Sequence, residues 1–336
     1  MLDITVSSEY SYAVLDRILE KYPSGVCYEN GRWRATEASG SEYTGWELTI
    51  SAPALSLYQL EKIFTALQPS LEIICVQRHS LHGVFHEGVV CCAVQLNCDA
   101  NLNDTLETLA QRYRVDIALQ KDKPSLSAGG LLVMDMDSTV IQIECIDEIA
   151  KLAGLGDKVA QVTAKAMRGE LDFNESLLSR VACLAGVPVA QMQQIRDGIP
   201  LMPGLVSLIT ILKKYGWKIA IASGGFTYFA DHLKERLGLD EAFSNTLEVD
   251  NGLLTGRVVG DIVNAQAKAD IVGALAQKWV IPMSQTVAMG DGANDLLMMG
   301  KAALGVACHA KPLVRKKADT AVRFGGLHTM LYLLAR

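Results

Sequence analysis

Acidic, hydroxyl and glycine residues recur in three short clusters after residue 130: Asp135-Met136-Asp137-Ser138-Thr139, Ser223-Gly224-Gly225 and Asp291-Gly292-Ala293-Asn294-Asp295. A lysine, Lys268 in NAQAKADI, precedes the last of them. Carboxylates drawn into one crevice repel, and like charges raise each other's pKa unless a cation offsets them. A hard divalent cation, Mg²⁺ above all, resolves this, because it takes one or two carboxylates together with waters and a substrate phosphate. Asp135 and Asp291 can supply oxygen ligands, and the backbone carbonyl of Asp137 can add another. One Asp is then free to attack phosphorus, giving an aspartyl-phosphate and splitting one hard hydrolysis into two easier displacements. A second Asp, two residues on, can protonate the leaving alkoxide and later deprotonate the attacking water. That role needs Asp137 to keep its proton above the ~3.9 of a free side chain, the direction in which partial burial beside other acids pushes it. Ser223 and the N–H groups of Gly224 and Gly225 at a helix start would cradle a phosphate. Lys268 would supply a point charge for the phosphate and for developing negative charge.

These clusters need a scaffold that gathers them, and the pattern around them provides one. LLVMD (131–135), KIAIAS (218–223), TVAMGD (286–291), LGVA (304–307) and TAVRF (320–324) are nearly continuous apolar runs, as strands buried on both faces must be. Helical segments alternate with them: LVSLITILKKY opens after Pro203-Gly204 and closes at Gly216, and YFADHLKERL closes at Gly238. The reading is an α/β domain, doubly wound, with a mainly parallel Rossmann-like sheet. Ligands bind such sheets outside the carboxyl ends of the strands, where the clusters fall. A stretch after the first strand is far longer than an ordinary crossover and helical in pattern, with Val159, Val162 and Ala166 on one face and Phe173, Leu177, Val181 and Leu184 on another. It reads as an inserted cap over about 145–200. NTLEVDNGLLTGRVVG (245–260) carries an Asp-Asn-Gly turn and reads as a hairpin.

DMDST, SGGF, the Lys268 segment and GDGAND, in that order, resemble the four motifs of the haloacid dehalogenase-like (HAD) phosphatases, over about 131–336. The run DMDSTVIQIECIDEIA with LDFNESLLSRV is similar to the phosphoserine phosphatases of that superfamily. The resemblance implies a Mg²⁺-dependent hydrolase of O-phospho-L-serine. Asp135 would be the nucleophile and Asp137 the general acid/base, with Asp135, Asp137 and Asp291 at the metal. Ser223, Gly224, Lys268 and Asn294 would contact substrate, and Asp295 would support the metal-bound water. By the same pattern Arg180 would pair with the substrate carboxylate, Glu144 with its ammonium, and Phe173 would pack over the pocket. Independently of the resemblance, Phe173 and Arg180 are seven residues apart and lie within ~20° of one another on a helix. Arg180 therefore shares an apolar face, where a planar anion matches its fork. A phosphotransferase passing the group to an amino alcohol such as homoserine, and a phospho-accepting signalling receiver, are the rival readings. Against these stand plainer roles: Asp135 and Asp137 as turn caps, Lys268 as solvated surface, Arg180 and Glu144 as a structural ion pair, and Met289, Met298 and Met299 as core filler.

At 336 residues the chain calls for about two domains. KDKPSLSAGG (121–130) punctuates the sequence and reads as the linker. Upstream, strand, helix and strand follow twice, through LSLYQLEKIFTAL with Leu57, Leu60, Ile63 and Leu67, and through LNDTLETLAQRY with Asn101 or Asn103 as N-cap. A ferredoxin-like βαββαβ unit over about 44–120 is expected, and it resembles the amino-acid-binding ACT domains. Serine binding at this module and homodimerisation are the expectations it carries. Residues 1–43 hold a strand, a helix around Tyr10–Lys21 and an extended piece at VCYENGRWRATE. The net charge of −6, without Lys/Arg runs, argues against nucleic acid as a ligand. The longest apolar runs fall far short of the ~20 residues of a membrane span. The start MLDITVSSEY has no basic region followed by an apolar one, so the cytosol is the expected compartment. Eight cysteines without a C-x-x-C pair read as reduced thiols, and His79, His82 and His86 have no Cys or acid at ligand spacing.

Overall fold

The computed structural model describes residues 12–29, 31–36, 45–97 and 101–335. The strand expected ahead of the first helix, and Cys98, lie outside the described residues. The chain divides into two compact units, Met1–Lys123 with Thr320–Arg336, and Pro124–Asp319.

The first unit contains α1 (Tyr12–Lys21), β1 (Val26–Glu29), β2 (Arg32–Ala35), β3 (Trp46–Ala52), α2 (Leu57–Leu67), β4 (Leu71–Arg78), β5 (Gly88–Leu96), α3 (Asn103–Tyr113) and β6 (Asp116–Gln120). Its sheet order is β2-β1-β4-β5-β3-β6, and every pairing is antiparallel. From β3 to β6 this is the βαββαβ arrangement. The extended piece at VCYENGRWRATE is the β1–β2 hairpin, joined to the edge of β4 through Val26 and Val76. Ser56 and Gln59 close a capping box at the start of α2, while Leu57, Leu60, Ile63 and Leu67 enter the core. Neither asparagine caps α3. Leu102 holds the N-cap position, and Asn101 Oδ1 instead accepts the Asn103 N–H at 2.9 Å, a local turn that competes with capping.

The second unit opens with β7 (Leu131–Met134) and passes into α4 (Cys145–Leu152), α5 (Gly156–Met167), α6 (Phe173–Ala182) and α7 (Val189–Asp197), the helical insertion. It continues through α8 (Leu205–Lys214), β8 (Lys218–Phe226), α9 (Thr227–Leu237), β9 (Glu241–Asp250), β10 (Leu253–Val259), α10 (Ala265–Lys278), β11 (Thr286–Gly290), α11 (Leu296–Lys301), β12 (Leu304–Cys308) and α12 (Pro312–Lys317). Within this unit the strands run β10-β9-β8-β7-β11-β12. All neighbours are parallel except β9 and β10. β7, β11 and β12 are buried along their whole length. From β7 the chain builds outward to β8 on one side and to β11 on the other, which opens a crevice at the carboxyl end of β7. The β9–β10 hairpin turns at Asn251 and Gly252, both at positive φ (47° and 80°), the conformation that an Asn-Gly pair adopts readily. Its second strand is tied to the insertion. Gly186 N–H donates to Leu254 O, Leu254 N–H to Val187 O and Val189 N–H to Gly252 O, at 2.7, 2.9 and 3.0 Å.

The C-terminal segment, with β13 (Thr320–Val322) and a 3-10 turn at Leu327–Leu333, groups with the first unit. There the Asp116 carboxylate accepts the backbone N–H groups of Arg323, Phe324 and Gly325, while Tyr332 OH donates to Glu87 at 2.9 Å.

Candidate active site

The carboxyl ends of β7, β8 and β11 bring the three sequence clusters to one cavity of about 180 Å³. Asp135, Asp137, Glu144, Phe173, Arg180, Ser223, Gly224, Asp291 and Asn294 all line it. Asp135 directly follows β7, and its N–H continues the parallel pairing by donating to Met289 O at 2.9 Å.

Lys268 and Asp295 lie beneath that surface. Lys268 is wholly buried, on the inner face of α10, so it is no surface lysine. Its Nζ stands 2.8 Å from Asp135 Oδ1 and 2.7 Å from Asp295 Oδ1. Burial opposes its charge, but the two carboxylates outweigh burial and hold the ammonium above the usual lysine range. The other oxygen of Asp295 accepts the Gly292 N–H at 2.9 Å, so both its oxygens are engaged. Burial and the Asp135 charge push Asp295 up to about 6. Asp291 accepts from Thr139 Oγ1 at 3.3 Å and is pushed up to about 7 by burial and by Asp135, Asp295 and Glu144.

Oxygens of Asp135, Asp291 and Asp295 lie within 4.8 Å of one another, a cluster of hard donors that fits a divalent cation. The side chain of Asp137 is not part of it. Burial, then Glu144 and Asp135, hold the Asp137 carboxyl well above its usual range. Its Oδ1 is buried with no hydrogen-bond partner among the described residues, an atom that a ligand could engage.

SGGF differs from the expectation of a helix start. β8 runs on to Phe226, and α9 begins only at Thr227. Pairing with β9 slips between Ala222 and Phe226, so Ser223-Gly224-Gly225 bulge out of the ladder. Ser223 is not an N-cap; its Oγ accepts the Gly225 N–H at 3.0 Å, and the hydroxyl keeps a proton to donate. Gly224 lets Phe173 approach closely: an added Cβ would lie 2.8 Å from Phe173 Cζ and push the ring aside. Asn245, absent from the sequence reading, fixes this bulge: it donates to Gly224 O at 2.8 Å and accepts the Val263 N–H at 2.9 Å. An asparagine inside an alternating strand gives no warning of that role.

The insertion supplies the remaining wall. Phe173 packs against Gly224, and Arg180, half-buried on the same helix, is steadied by its own Nε donating to Ser176 O at 3.4 Å. Glu144 accepts from Ser138 Oγ at 2.7 Å, and its pKa is raised, first by burial. No ion pair joins Glu144 to Arg180 among the described residues, so the structural-pair alternative does not hold. His82 instead pairs with Asp16 at 2.6 Å, and Met289, Met298 and Met299 are core.

A doubly wound sheet with an inserted helical cap and a carboxylate, lysine and hydroxyl site at its switch point defines a phosphoryl-transfer hydrolase of the HAD class. Residues 130–303 match the haloacid dehalogenase-like hydrolase family, to which the chain belongs. A phosphoserine phosphatase of Vibrio cholerae is 56% identical over 237 residues, spanning 70% of this chain and 72% of that protein. A crystal structure of a probable phosphoserine phosphatase from Vibrio cholerae, unliganded, is 47% identical with a TM-score of 0.72 and covers 86% of both chains. A phosphoserine phosphatase solved as a phospho-aspartyl intermediate analogue is 39% identical, with a TM-score of 0.58 over 62% of this chain and 99% of the other.

Proposed function

We propose that the chain hydrolyses O-phospho-L-serine to L-serine and phosphate through an aspartyl-phosphate. The observation that carries this is the joint lining of one cavity by the phosphoryl-transfer groups and by Arg180 and Glu144, which suit the two charges of an amino acid.

Lys268 holds Asp135 Oδ1, which leaves Oδ2 as the attacking atom. As the Oδ2–P bond forms, the P–O bond to serine breaks and the alkoxide takes the proton of Asp137. Water then attacks phosphorus and gives a proton to the Asp137 carboxylate, the aspartyl P–O bond breaks, and both acids return to their starting states. Ser223, Gly224 and Asn294 hold the phosphate oxygens, and Asp295 keeps Lys268 in place. A bound Mg²⁺, held by Asp135, Asp291 and the Asp137 carbonyl, would neutralise the phosphate and its developing charge. Enclosure by the cap restricts attack on the intermediate to the positioned water.

A screen of phosphomonoesters with and without EDTA tests this reading. Preference for phosphoserine that chelation abolishes is expected, and Arg180→Ala should lose phosphoserine far more than an ester lacking the carboxylate. Metal-independent turnover, or equal loss on both esters, would refute it. For the first unit, an ACT-like role in serine binding or homodimerisation is proposed on its βαββαβ topology, to be examined in the intact chain because Thr320–Arg336 is part of that unit. No helix among the described residues is long and apolar enough to cross a membrane. A cytosolic location belongs to the same proposal.

A further inference from the structure

Charged and apolar side chains share the lining of the cavity. Asp135, Ser223 and Gly224 suit a phosphate, and Glu144 and Arg180 the two charges of an amino acid. With them stand Leu177 of α6 and Ile146 of α4, only 2% and 5% exposed, yet both lining the cavity. At 100° per residue, Phe173, Leu177 and Arg180 fall within about a 60° arc of α6. Leu177 thus sits one turn beyond the ring that packs on Gly224 and just short of the guanidinium.

Resting on the phosphoserine reading, we propose that Leu177, backed by Ile146, is the specificity-determining residue that faces the substrate Cβ and rejects its β-methyl homologue, phosphothreonine. The methylene of phosphoserine meets this apolar wall, and an added methyl presses against Leu177 at the cost of overpacking. One methyl in an apolar pocket is worth roughly 10–200-fold in kcat/KM. Leu178, the next residue, is 44% exposed and faces away, which makes it the matched control.

The test is the ratio of kcat/KM for phosphothreonine to that for phosphoserine, both read on one preparation, so that the folded fraction cancels. Wild type should favour phosphoserine by at least about ten-fold. Leu177→Ala should raise the ratio by three-fold or more, Leu177→Val by less, and Leu178→Ala should leave it unchanged. A rise below three-fold in Leu177→Ala, an equal rise in Leu178→Ala, or a wild type indifferent to the methyl would overturn the assignment while leaving phosphoserine hydrolysis standing. A wild type inert toward phosphoserine would instead remove the function reading, and this inference with it.

Discussion

Replacing Lys268 by methionine keeps an unbranched apolar stem of similar length and deletes the ammonium alone. In the native protein that ammonium is wholly buried between two carboxylates, at 2.8 and 2.7 Å. Removing one member of a buried ionic cluster costs about 3–5 kcal/mol, because the partners stay desolvated and unpaired. For a unit of this size that corresponds to a fall in Tm of about 6–20 °C. The loss must depend on pH, and its sign follows from Asp295. Burial and Asp135 already raise that carboxyl to about 6 while Lys268 holds it down, so without Lys268 it rises further. A carboxyl whose folded pKa lies above its unfolded value binds a proton on folding. Its contribution is favourable at low pH and is lost as pH rises through the folded pKa. The deficit of Lys268→Met should therefore be largest near pH 8 and shrink toward pH 5.5, as read by calorimetry of both proteins in EDTA. Turnover should fall by at least about a hundred-fold at every pH, the scale of losing one preorganised charge at a reacting group. An equal loss of Tm at both pH values would refute the electrostatic account, and an unchanged Tm would show that Lys268 does not hold the two acids together.

The same repulsion predicts how metal use varies with pH. Asp291 is raised to about 7, and a ligand carboxylate must lose its proton to bind, so half-saturation of activity by Mg²⁺ should need up to about ten-fold more metal per pH unit below 7. Magnesium titrations at pH 8 and pH 6 with the same requirement would contradict it. In the first unit, Asp116→Ala strips the acceptor from three backbone N–H groups at once. Each buried donor left unsatisfied costs about 1–3 kcal/mol, so urea unfolding of the intact chain should place that unit's transition at least about 2 kcal/mol lower, and a loss below about 0.5 kcal/mol, half of the smallest single cost, would show that water replaces the carboxylate.

Most of the candidate site was legible because its members end a strand or open a turn, and an acidic or glycine-rich break after an apolar run is a local signal. Asp135, Ser223 and Asp291 could be placed side by side from the order of β7, β8 and β11 before any contact was known. Lys268 could not: its spacing fits a solvated helix face as well as a buried one, and only Asp295, 27 residues on, decides between them. Long-range closure leaves still less trace. Asp116 meets Gly325 across 209 residues, and its carboxylate is satisfied by backbone N–H groups that any sequence carries. The three backbone bonds that tie Gly186–Val189 to the β10 edge are invisible for the same reason. Ser223 misled because a Ser-Gly-Gly break serves a strand bulge as readily as an N-cap.

Those limits bear on the acidity of the chain. Counting residues says only that acids exceed bases by six. The structure gives part of that excess a location: at the carboxyl end of β7, the clustered carboxylates of Asp135, Asp291 and Asp295 face the single ammonium of Lys268. Burial and its acidic neighbours push Asp137 toward its protonated form, and once the other three carboxylates are ionised the imbalance is two charges, the charge of one divalent cation. Lys268 therefore does more than anchor Asp135. By taking one oxygen of Asp135 and one of Asp295 it lowers the local charge to what a single ion can neutralise, and it directs the remaining Asp135 oxygen toward the cavity.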